Sequence, residues 1–322
     1  MSISFETLSA PLPAPARWTF GGRPYGLEPL ILPTAAVPGE DLQRLGLETA
    51  DGTGPEALAP TLLTGAAPTV PGSRVPDGDP RIPWFRWITG HQISFAVWRL
   101  LAQEIRTVAR TEGHRRAVAV DAVIAYVRGY CAMLLYTASC PREVYEALIR
   151  PSMFLAHPGF SGTWAADFAA VRPVFRSRQL SWLGRGPGAD EVRRTVAVSH
   201  LVHAGVAARL VPEGGSLLQE APVGARRPAL AEVLYDSYFL TTRMAGAEAQ
   251  VVPQLLGRLE AATADLCAYG LDLGGTGETL PPEFRDESVL AIGRDLPGVL
   301  RRVAEHAAGP VPSTLDLQPQ TV

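Results

Sequence analysis

The residues best suited to chemistry are histidines, and the chain has six of them: His91, His114, His157, His200, His203 and His306. His91 lies in a strongly apolar stretch behind a group of aromatic residues, and His200 and His203 lie one helical turn apart. An imidazole can exchange protons near neutral pH, and it can bind a metal, including the iron of a heme. The histidines therefore indicate acid–base chemistry, metal binding or both.

Other classes of site have little support in the sequence. His200-x-x-His203 lacks the glutamate of the HExxH zinc motif, and the three cysteines, Cys131, Cys140 and Cys267, are isolated. Isolated cysteines also predict no disulfide framework and a reducing compartment. We find no phosphate-binding glycine motif, no GxSxG nucleophile motif and no CxxCH motif, so any heme held by these histidines is expected to be non-covalent.

On residue type alone, a histidine on an apolar helical face is more often a hydrogen-bonded core residue than a reactive one. A helical binding protein in which all six histidines are structural therefore stays open as an alternative. Either of His200 and His203 could instead bind a heme iron axially, because arginines are plentiful and the surroundings are apolar.

A longer pattern around His91 resembles a known family. Thr89-Gly90-His91-Gln92 is followed after five residues by Trp98, then by leucine and glutamate. This order resembles the distal-histidine segment of tryptophan 2,3-dioxygenases. The resemblance implies that His91 lies on the oxygen side of a heme b and acts as the acid–base residue. Four nearby aromatic residues could stack against the substrate ring, and packing in the hydrophobic core is an equally good interpretation of each: Trp84, Phe85, Trp87 and Phe95. Of these, Trp87 and Phe95 are also assigned to the cofactor.

A second fragment follows the paired histidines. Gly214-Gly215-Ser216 resembles the glycine-rich segment that follows the iron-ligating histidine in that family. Aligning the two segments brings His200 within one residue of the ligand position, and His203 falls short by about a turn. The resemblance therefore implies that His200 is the proximal iron ligand, with His203 in reserve, and that the three residues of the segment lie at the cofactor.

A third fragment lies between the histidines, where Pro158-Gly159-Phe160-Ser161-Gly162 is similar to the family's substrate segment. It implies that Phe160 and Ser161 contact substrate. The arginine that grips the substrate carboxylate in the family is replaced by Ala166, so Arg150 and Arg172 become the candidates, of which Arg150 is preferred. The threonine of the glycine-rich segment is replaced by Glu213.

These departures argue against tryptophan dioxygenation. The chain is more similar to histidine-ligated heme-dependent aromatic oxygenases, in particular the bacterial L-tyrosine 3-hydroxylases of antibiotic biosynthesis. That resemblance implies hydroxylation of L-tyrosine to 3,4-dihydroxyphenylalanine (L-DOPA), with hydrogen peroxide, or else dioxygen, as oxidant. An indole mono- or dioxygenase on the same scaffold is the alternative.

The elements that must position these residues are helices. Apolar residues recur at helical spacing, and the pattern predicts helices over 91–110, 116–138, 142–149, 163–170, 190–211, 228–247, 251–270 and 286–307. On helix 190–211 the pattern places His200 and His203 on the buried face. The expected fold is all-α, like tryptophan 2,3-dioxygenase, without convincing strands.

The first 83 residues hold 14 of the 29 prolines, which excludes long helices there. We expect residues 1–82 to form an extended arm packed on the main body, with one short helix near 40–45. Residues 83–310 would form the helical heme domain, and residues 311–322 a tail.

The composition sets further limits. The 322 residues carry a formal net charge of −3, which does not favour a nucleic-acid or anionic-membrane partner. We recognise neither a signal peptide nor a membrane span, so the expected location is cytoplasmic. The expected ligands are a small aromatic amino acid and the oxidant. The chain is also expected to form a homo-oligomer, namely a dimer.

Overall fold

A computed structural model describes residues 25–34, 80–176, 181–211, 215–222, 228, 230–273 and 280–309. The described residues are predominantly helical, which confirms the all-α prediction. The α-helices are α1 Arg81–Arg110, α2 Gly113–Ala138, α3 Arg142–Val144, α4 Arg150–Ala156, α5 Ala166–Phe175, α6 Pro187–Leu210, α7 Leu217–Glu220, α8 Ala231–Tyr238, α9 Val251–Tyr269, α10 Glu287–Arg294 and α11 Leu296–Ala308. A π-helical turn, Tyr145–Ile149, joins α3 to α4.

The first long helix begins earlier than the sequence pattern indicates. We expected it to open at His91, but α1 begins at Arg81 and places His91 near its middle. Pro83 lies in the first turn, where its missing N–H costs no helical hydrogen bond. Nearly every residue from Ile82 to Leu101 is buried. A helix that is buried on all sides shows no one-sided apolar periodicity from which its start could be read.

Gly90 allows α1 to lie close to α2. A Cβ atom at Gly90 would fall 2.5 Å from Thr137 Cγ2 and 3.3 Å from Tyr136 Cδ1, both on α2. The first distance is shorter than any van der Waals contact between carbons. The glycine is therefore required by the packing of the two helices and does not mark a helix start.

Helix α2 is a central element of the bundle. It packs against α1, α6 and α11. By length and composition it is the one helix in the described part of the chain that could cross a membrane, and 67% of its most apolar window is buried within the protein. A core helix of a soluble protein meets the same criterion, so the finding is weak evidence, and the expected absence of a membrane partner stays a prediction.

Other helix boundaries also differ from the expectation. The stretch 150–162, which lies between two predicted helices, begins with a helix of its own, α4, because Pro151 can occupy the first helical turn. The helix expected over 228–247 is only α8, and the chain then turns into a strand. The last helix is two helices, α10 and α11, which meet at Asp295 just before Pro297.

Two short strands pair in parallel, which corrects the expectation of a fold without strands. Leu30–Leu32 (β1) pairs with Thr241–Arg243 (β2). Each strand has three residues, too few for an alternating pattern to be visible in sequence. Leu30 and Leu32 are fully buried, so this part of the expected arm belongs to the core. The expected helix near 40–45 and the tail 311–322 lie outside the described residues, and the domain boundaries stay predictions.

Replacing Gly90 with alanine is expected to destabilise the fold by about 1–2 kcal/mol. Overpacking typically costs about 1–3 kcal/mol, and the better helix propensity of alanine returns up to about 1 kcal/mol. The measurement is the free energy of unfolding in urea. Adding Thr137→Ser removes the clashing Cγ2 and keeps the hydroxyl that donates to Met133 O, so the double variant should recover stability.

The matched control is Gly293→Ala on α10, where the nearest atom to an added Cβ is 3.8 Å away. That variant should be as stable as the parent or slightly more stable. A Gly90→Ala protein with the same stability as the parent would show that α1 and α2 do not approach as described.

Candidate functional site

A cavity of about 550 Å³ lies between α1, α2, α4 and α6. Its lining includes seven residues to which the sequence analysis assigned a catalytic, cofactor or substrate role: His91, Arg150, Phe160, Ser161, His200, His203 and Ser216. The walls between them are mainly aliphatic and aromatic. A concave, mostly apolar site with a few polar groups is the usual form of a small-molecule or cofactor site.

His91 is half-buried on the α1 wall of this cavity, and one of its ring nitrogens is fixed. His91 Nδ1 lies 2.6 Å from the Trp87 carbonyl oxygen, one turn earlier in the helix. A carbonyl only accepts, so Nδ1 carries the hydrogen and donates it. In the neutral ring Nε2 is then the nitrogen with a free lone pair, and His91 can accept a proton there.

The His91 imidazole is packed between aromatic rings. The Phe239 ring is stacked on it at a centroid distance of 4.3 Å and an interplanar angle of 18°, and the Trp87 ring lies 4.5 Å away. Burial lowers the pKa of His91 to about 4, although the hydrogen bond to Trp87 opposes the shift. The ring is therefore neutral at neutral pH, in the form that can act as a base.

Phe239 is held in place by the residue that follows His91. Gln92 Nε2 donates to the Phe239 carbonyl at 2.9 Å and to the Glu28 carbonyl at 3.0 Å. Gln92 Oε1 accepts from Arg258 Nε on α9 at 2.9 Å. The amide is buried and fully engaged, so it orients the backbone that carries the stacked ring.

The paired histidines do not lie on the buried face of α6, contrary to our expectation. Residues that pack inward include Val192, Val196, Ser199 and Val202, whereas His200 and His203 are exposed and line the cavity. The apolar periodicity placed the buried face of α6 too close to the two histidines. Ser199 and Gly205 are also buried against neighbouring elements, but their residue types do not reveal this in the sequence. The displaced register leaves both imidazoles accessible to a ligand.

His200 and His203 have features that a heme iron requires. His200 Nε2 hydrogen-bonds to the Phe175 carbonyl, which leaves Nδ1 as the second nitrogen. A ring held by one such bond is typical of metal-ligating histidines. The His203 side chain is accessible to solvent, but desolvation by the surrounding protein and the neighbouring His200 still lower its pKa, which favours the neutral form. Together with the apolar walls, these donors fit a histidine-ligated heme.

The aromatic residues before and after His91 lie behind the cavity wall. Trp87 and Phe95 are buried and contact the His91 ring, at centroid distances of 4.5 Å and 6.5 Å, but neither is among the lining residues. Trp84 and Phe85 are also outside the lining. Trp87 and Phe95 therefore pack around His91, whereas Phe85 packs against Tyr25 and Trp84 against Tyr238.

The predicted substrate segment does reach the cavity. Phe160 is buried, and its ring is stacked on Tyr235 of α8 at 5.3 Å. Ser161 caps the helical turn Gly162–Trp164 by accepting a hydrogen bond from Thr163 N. An aromatic wall and a hydroxyl at one end of a cavity suit a ring-containing ligand.

Arg150 lies on the cavity wall at the start of α4, directly after the π-helical turn. One terminal nitrogen contacts both carboxylate oxygens of Glu220 at 2.8 Å and the Gly215 carbonyl at 3.2 Å. Ser216 lines the cavity and caps α7. The arginine therefore lies at the cavity, where its partner is an acidic side chain, and its predicted role in holding the substrate carboxylate stays a prediction. Gly214 lies outside the described residues.

The other arginine candidate is placed differently. Arg172 is not in the cavity lining, and its Nη2 donates to the Thr163 carbonyl at 2.9 Å. Arg176 does line the cavity and lies next to Phe175. Sequence reasoning missed Arg176, as it missed Phe239, because no motif distinguishes either residue. Only the packing of α5 and α8 on α1 and α6 brings them to the site.

Opening the aromatic stack is expected to raise the pKa of His91. Phe239→Ala exposes one imidazole face to water, so the pKa should rise from about 4 towards the ordinary value of 6.5. The titratable groups around this stack, Tyr145, Tyr235 and Tyr238, have pKa values raised by burial and stay neutral. NMR titration of the imidazole measures the change. The control is Phe284→Ala, which removes a buried ring that packs against Gly205 of α6 and should leave the His91 pKa unchanged.

Comparison with known families supports an enzyme. Residues 41–195 match the family model described as SfmD 3-methyl-L-tyrosine peroxygenase. The matched span is just under half of the chain; it includes His91 and Arg150 and ends before His200. No curated protein matches the chain significantly. The resemblance to tryptophan 2,3-dioxygenases stays a prediction, and the family match supports an enzyme of the peroxygenase type.

Proposed function

We propose that the protein is a heme-dependent peroxygenase that hydroxylates the ring of a free, tyrosine-like amino acid. The observation that carries the proposal is the shared cavity. It places a neutral imidazole, His91, on one wall and an imidazole suited to iron, His200, on another. The family match over residues 41–195 supports tyrosine-type peroxygenase chemistry.

In this proposal His200 binds the cofactor and His91 transfers protons. His200, with His203 in reserve, would hold a heme b, and Arg150 and Arg176 are the cavity arginines able to pair with carboxylates. When bound, the heme supplies the redox chemistry that breaks the oxygen–oxygen bond. The overall reaction balances as tyrosine plus hydrogen peroxide giving L-DOPA plus water. Bacterial secondary metabolism as the setting belongs to the same proposal.

His91 moves the protons. Its Nε2 is free to accept a proton from hydrogen peroxide or from the substrate phenol, because Nδ1 is committed to the Trp87 carbonyl. A free phenol titrates near pKa 10, far above the pKa of about 4 that burial gives His91, so this transfer requires that ligand binding raise the pKa of His91 or lower that of the phenol. The protonated imidazole can then return that proton to the departing water. The aromatic pair Phe160 and Tyr235 is suited to orient the substrate ring.

Heme ligation is tested with two single variants. Purified protein supplied with hemin should show a Soret band, and His200→Ala should lose that band or its normal axial ligation. His203→Ala should keep it. Circular dichroism of both variants confirms that the fold is retained. Loss of ligation in His203→Ala alone would move the ligand one turn along α6, and parent protein without a Soret band would end the proposal.

The role of His91 is tested separately from heme binding. His91→Ala should keep the Soret band and lose about 10²- to 10⁴-fold in turnover per heme, the usual contribution of a general acid–base. The assay supplies L-tyrosine and hydrogen peroxide and detects the catechol. Parallel reactions with L-tryptophan separate phenol from indole chemistry. Wild-type turnover per heme in His91→Ala would remove His91 from the mechanism.

A further inference from the structure

The hydroxyl of Tyr235, on α8, is a polar group of the cavity wall that the fold does not use. The Tyr235 ring packs on Phe160, and the residue as a whole is only 2% exposed. Its oxygen lies beside Gly162, where an added Cβ atom would be 3.9 Å away. Tyr235 and Gly162 both line the cavity, so the phenol end of the side chain lies at the cavity surface.

This hydroxyl has no hydrogen-bond partner within the described part of the chain. Burial and neighbouring groups perturb Tyr235, but no hydrogen bond does. The oxygen is also not one of the described polar atoms that are both unpaired and sealed from solvent. It is therefore open to the cavity. A polar group in a mostly apolar wall loses free energy unless it is hydrogen-bonded, so the partner is expected from a molecule bound there.

Tyr235 and His91 share two neighbours in the wall behind them. The Phe239 ring lies 4.3 Å from the His91 ring and 4.8 Å from the Tyr235 ring. The Phe95 ring lies 6.5 Å from His91 and 5.6 Å from Tyr235. Because both side chains also line the cavity, they flank one part of its wall. A single ligand group can therefore contact both.

The chemistry of the two side chains indicates what that group is. Burial raises the pKa of Tyr235, so its hydroxyl keeps its proton and can donate, whereas the neutral His91 accepts at Nε2. A base and a neutral donor at one place suit a group that loses a proton there, because the donor stabilises the charge left behind. No aspartate or glutamate is among the described lining residues to repel that charge. The substrate phenol is such a group.

We propose that the Tyr235 hydroxyl donates a hydrogen bond to the phenolic oxygen of the substrate and stabilises the phenolate formed when His91 takes the proton. This inference rests on the proposed function and adds a catalytic residue to it. The proton moves from the phenol oxygen to His91 Nε2, Tyr235 keeps its own proton, and no electrons are transferred in this step. A hydrogen bond to the charged form lowers the pKa of the bound phenol, which proton transfer to a weak base requires.

The test removes the hydroxyl and keeps the ring. Tyr235→Phe deletes an oxygen that has no partner in the described protein, so thermal unfolding should show a stability close to that of the parent. The matched control is Tyr238→Phe, which removes a hydroxyl outside the cavity lining that pairs with Ser152 at 2.8 Å. Tyr130→Phe removes a second lining hydroxyl, on α2.

Binding is measured by calorimetry on the hemin-loaded protein without peroxide, so the readout does not depend on turnover. One ligand is tetrafluoro-L-tyrosine, whose ring fluorines make the phenol acidic enough to be ionised at neutral pH. The other is L-phenylalanine, which lacks the oxygen. Tyr235→Phe should bind the phenolate ligand about 10- to 100-fold more weakly, the usual effect of losing a hydrogen bond to a charged group, and should bind L-phenylalanine as the parent does.

A further variant separates the hydrogen bond from packing. It carries 3-fluorotyrosine at position 235, which keeps the hydroxyl and makes it a better donor. This protein should bind tetrafluoro-L-tyrosine at least as tightly as the parent, and the Tyr238→Phe and Tyr130→Phe proteins should bind it unchanged. An equal loss in the 3-fluorotyrosine or Tyr238→Phe protein would assign the effect to packing and overturn the inference.

Two other results contradict the inference, and a third reaches further. If Tyr235→Phe leaves the ratio of the two affinities unchanged, Tyr235 does not contact the phenolate oxygen. If Tyr130→Phe alone weakens phenolate binding, the donor is on α2 and the assignment to Tyr235 is wrong. Both results leave the proposed function intact. A parent protein that binds neither hemin nor any tyrosine ligand overturns the proposed function as well.

Discussion

The structure depends on the hydrogen bonds that the polar side chains of one buried helix, α1, form inside the protein. α1 is enclosed over most of its length, so Arg86 and Gln92 have to find partners inside the protein. Arg86 Nε donates to Asp265 at 2.7 Å, and its other nitrogens donate to Ser139 and to a backbone carbonyl. Gln92 engages Arg258. Both Asp265 and Arg258 lie on α9, so the two contacts fix α9 against α1.

The same requirement shapes the environment of His91. Because Gln92 is tied to the Phe239 carbonyl, the Phe239 ring is held against the neighbouring imidazole. Stacking keeps water from one face of the ring, and the Trp87 carbonyl selects the tautomer. The low pKa of His91 and its free Nε2 therefore follow from packing and backbone contacts, without a charged partner at the ring. His91 is therefore kept neutral by burial.

The sequence predicted which residues meet at one cavity better than it predicted the helices that carry them. The order of the motifs around His91, Phe160 and His200 identified residues that the structure places on one cavity. Helical periodicity failed where a helix is buried on all sides, as at the start of α1. It also failed on α6, where small residues such as Ser199 face inward and displace the expected apolar face.

Contacts between distant segments could not be predicted at all. Phe239 follows α8 and contacts His91 from 148 positions away along the chain. No local pattern distinguishes it from a core phenylalanine. Arg176 is a similar case, because a lining residue is defined by the space that other elements leave. Such relations arise from tertiary packing, which a single sequence does not display.

The N-terminal strand has a consequence for the order in which the molecule is completed. Arg258 Nη2 donates to the carbonyls of Glu28 and Pro29, and Gln254 pairs with both backbone groups of Ile31. Residues 28–31 are therefore held by residues synthesised more than two hundred positions later. Contacts of such high separation carry a large loop-closure entropy and form late in folding. During translation, α1 can be a helix long before Gln92 meets Arg258, so His91 acquires its final surroundings only after α9 has left the ribosome.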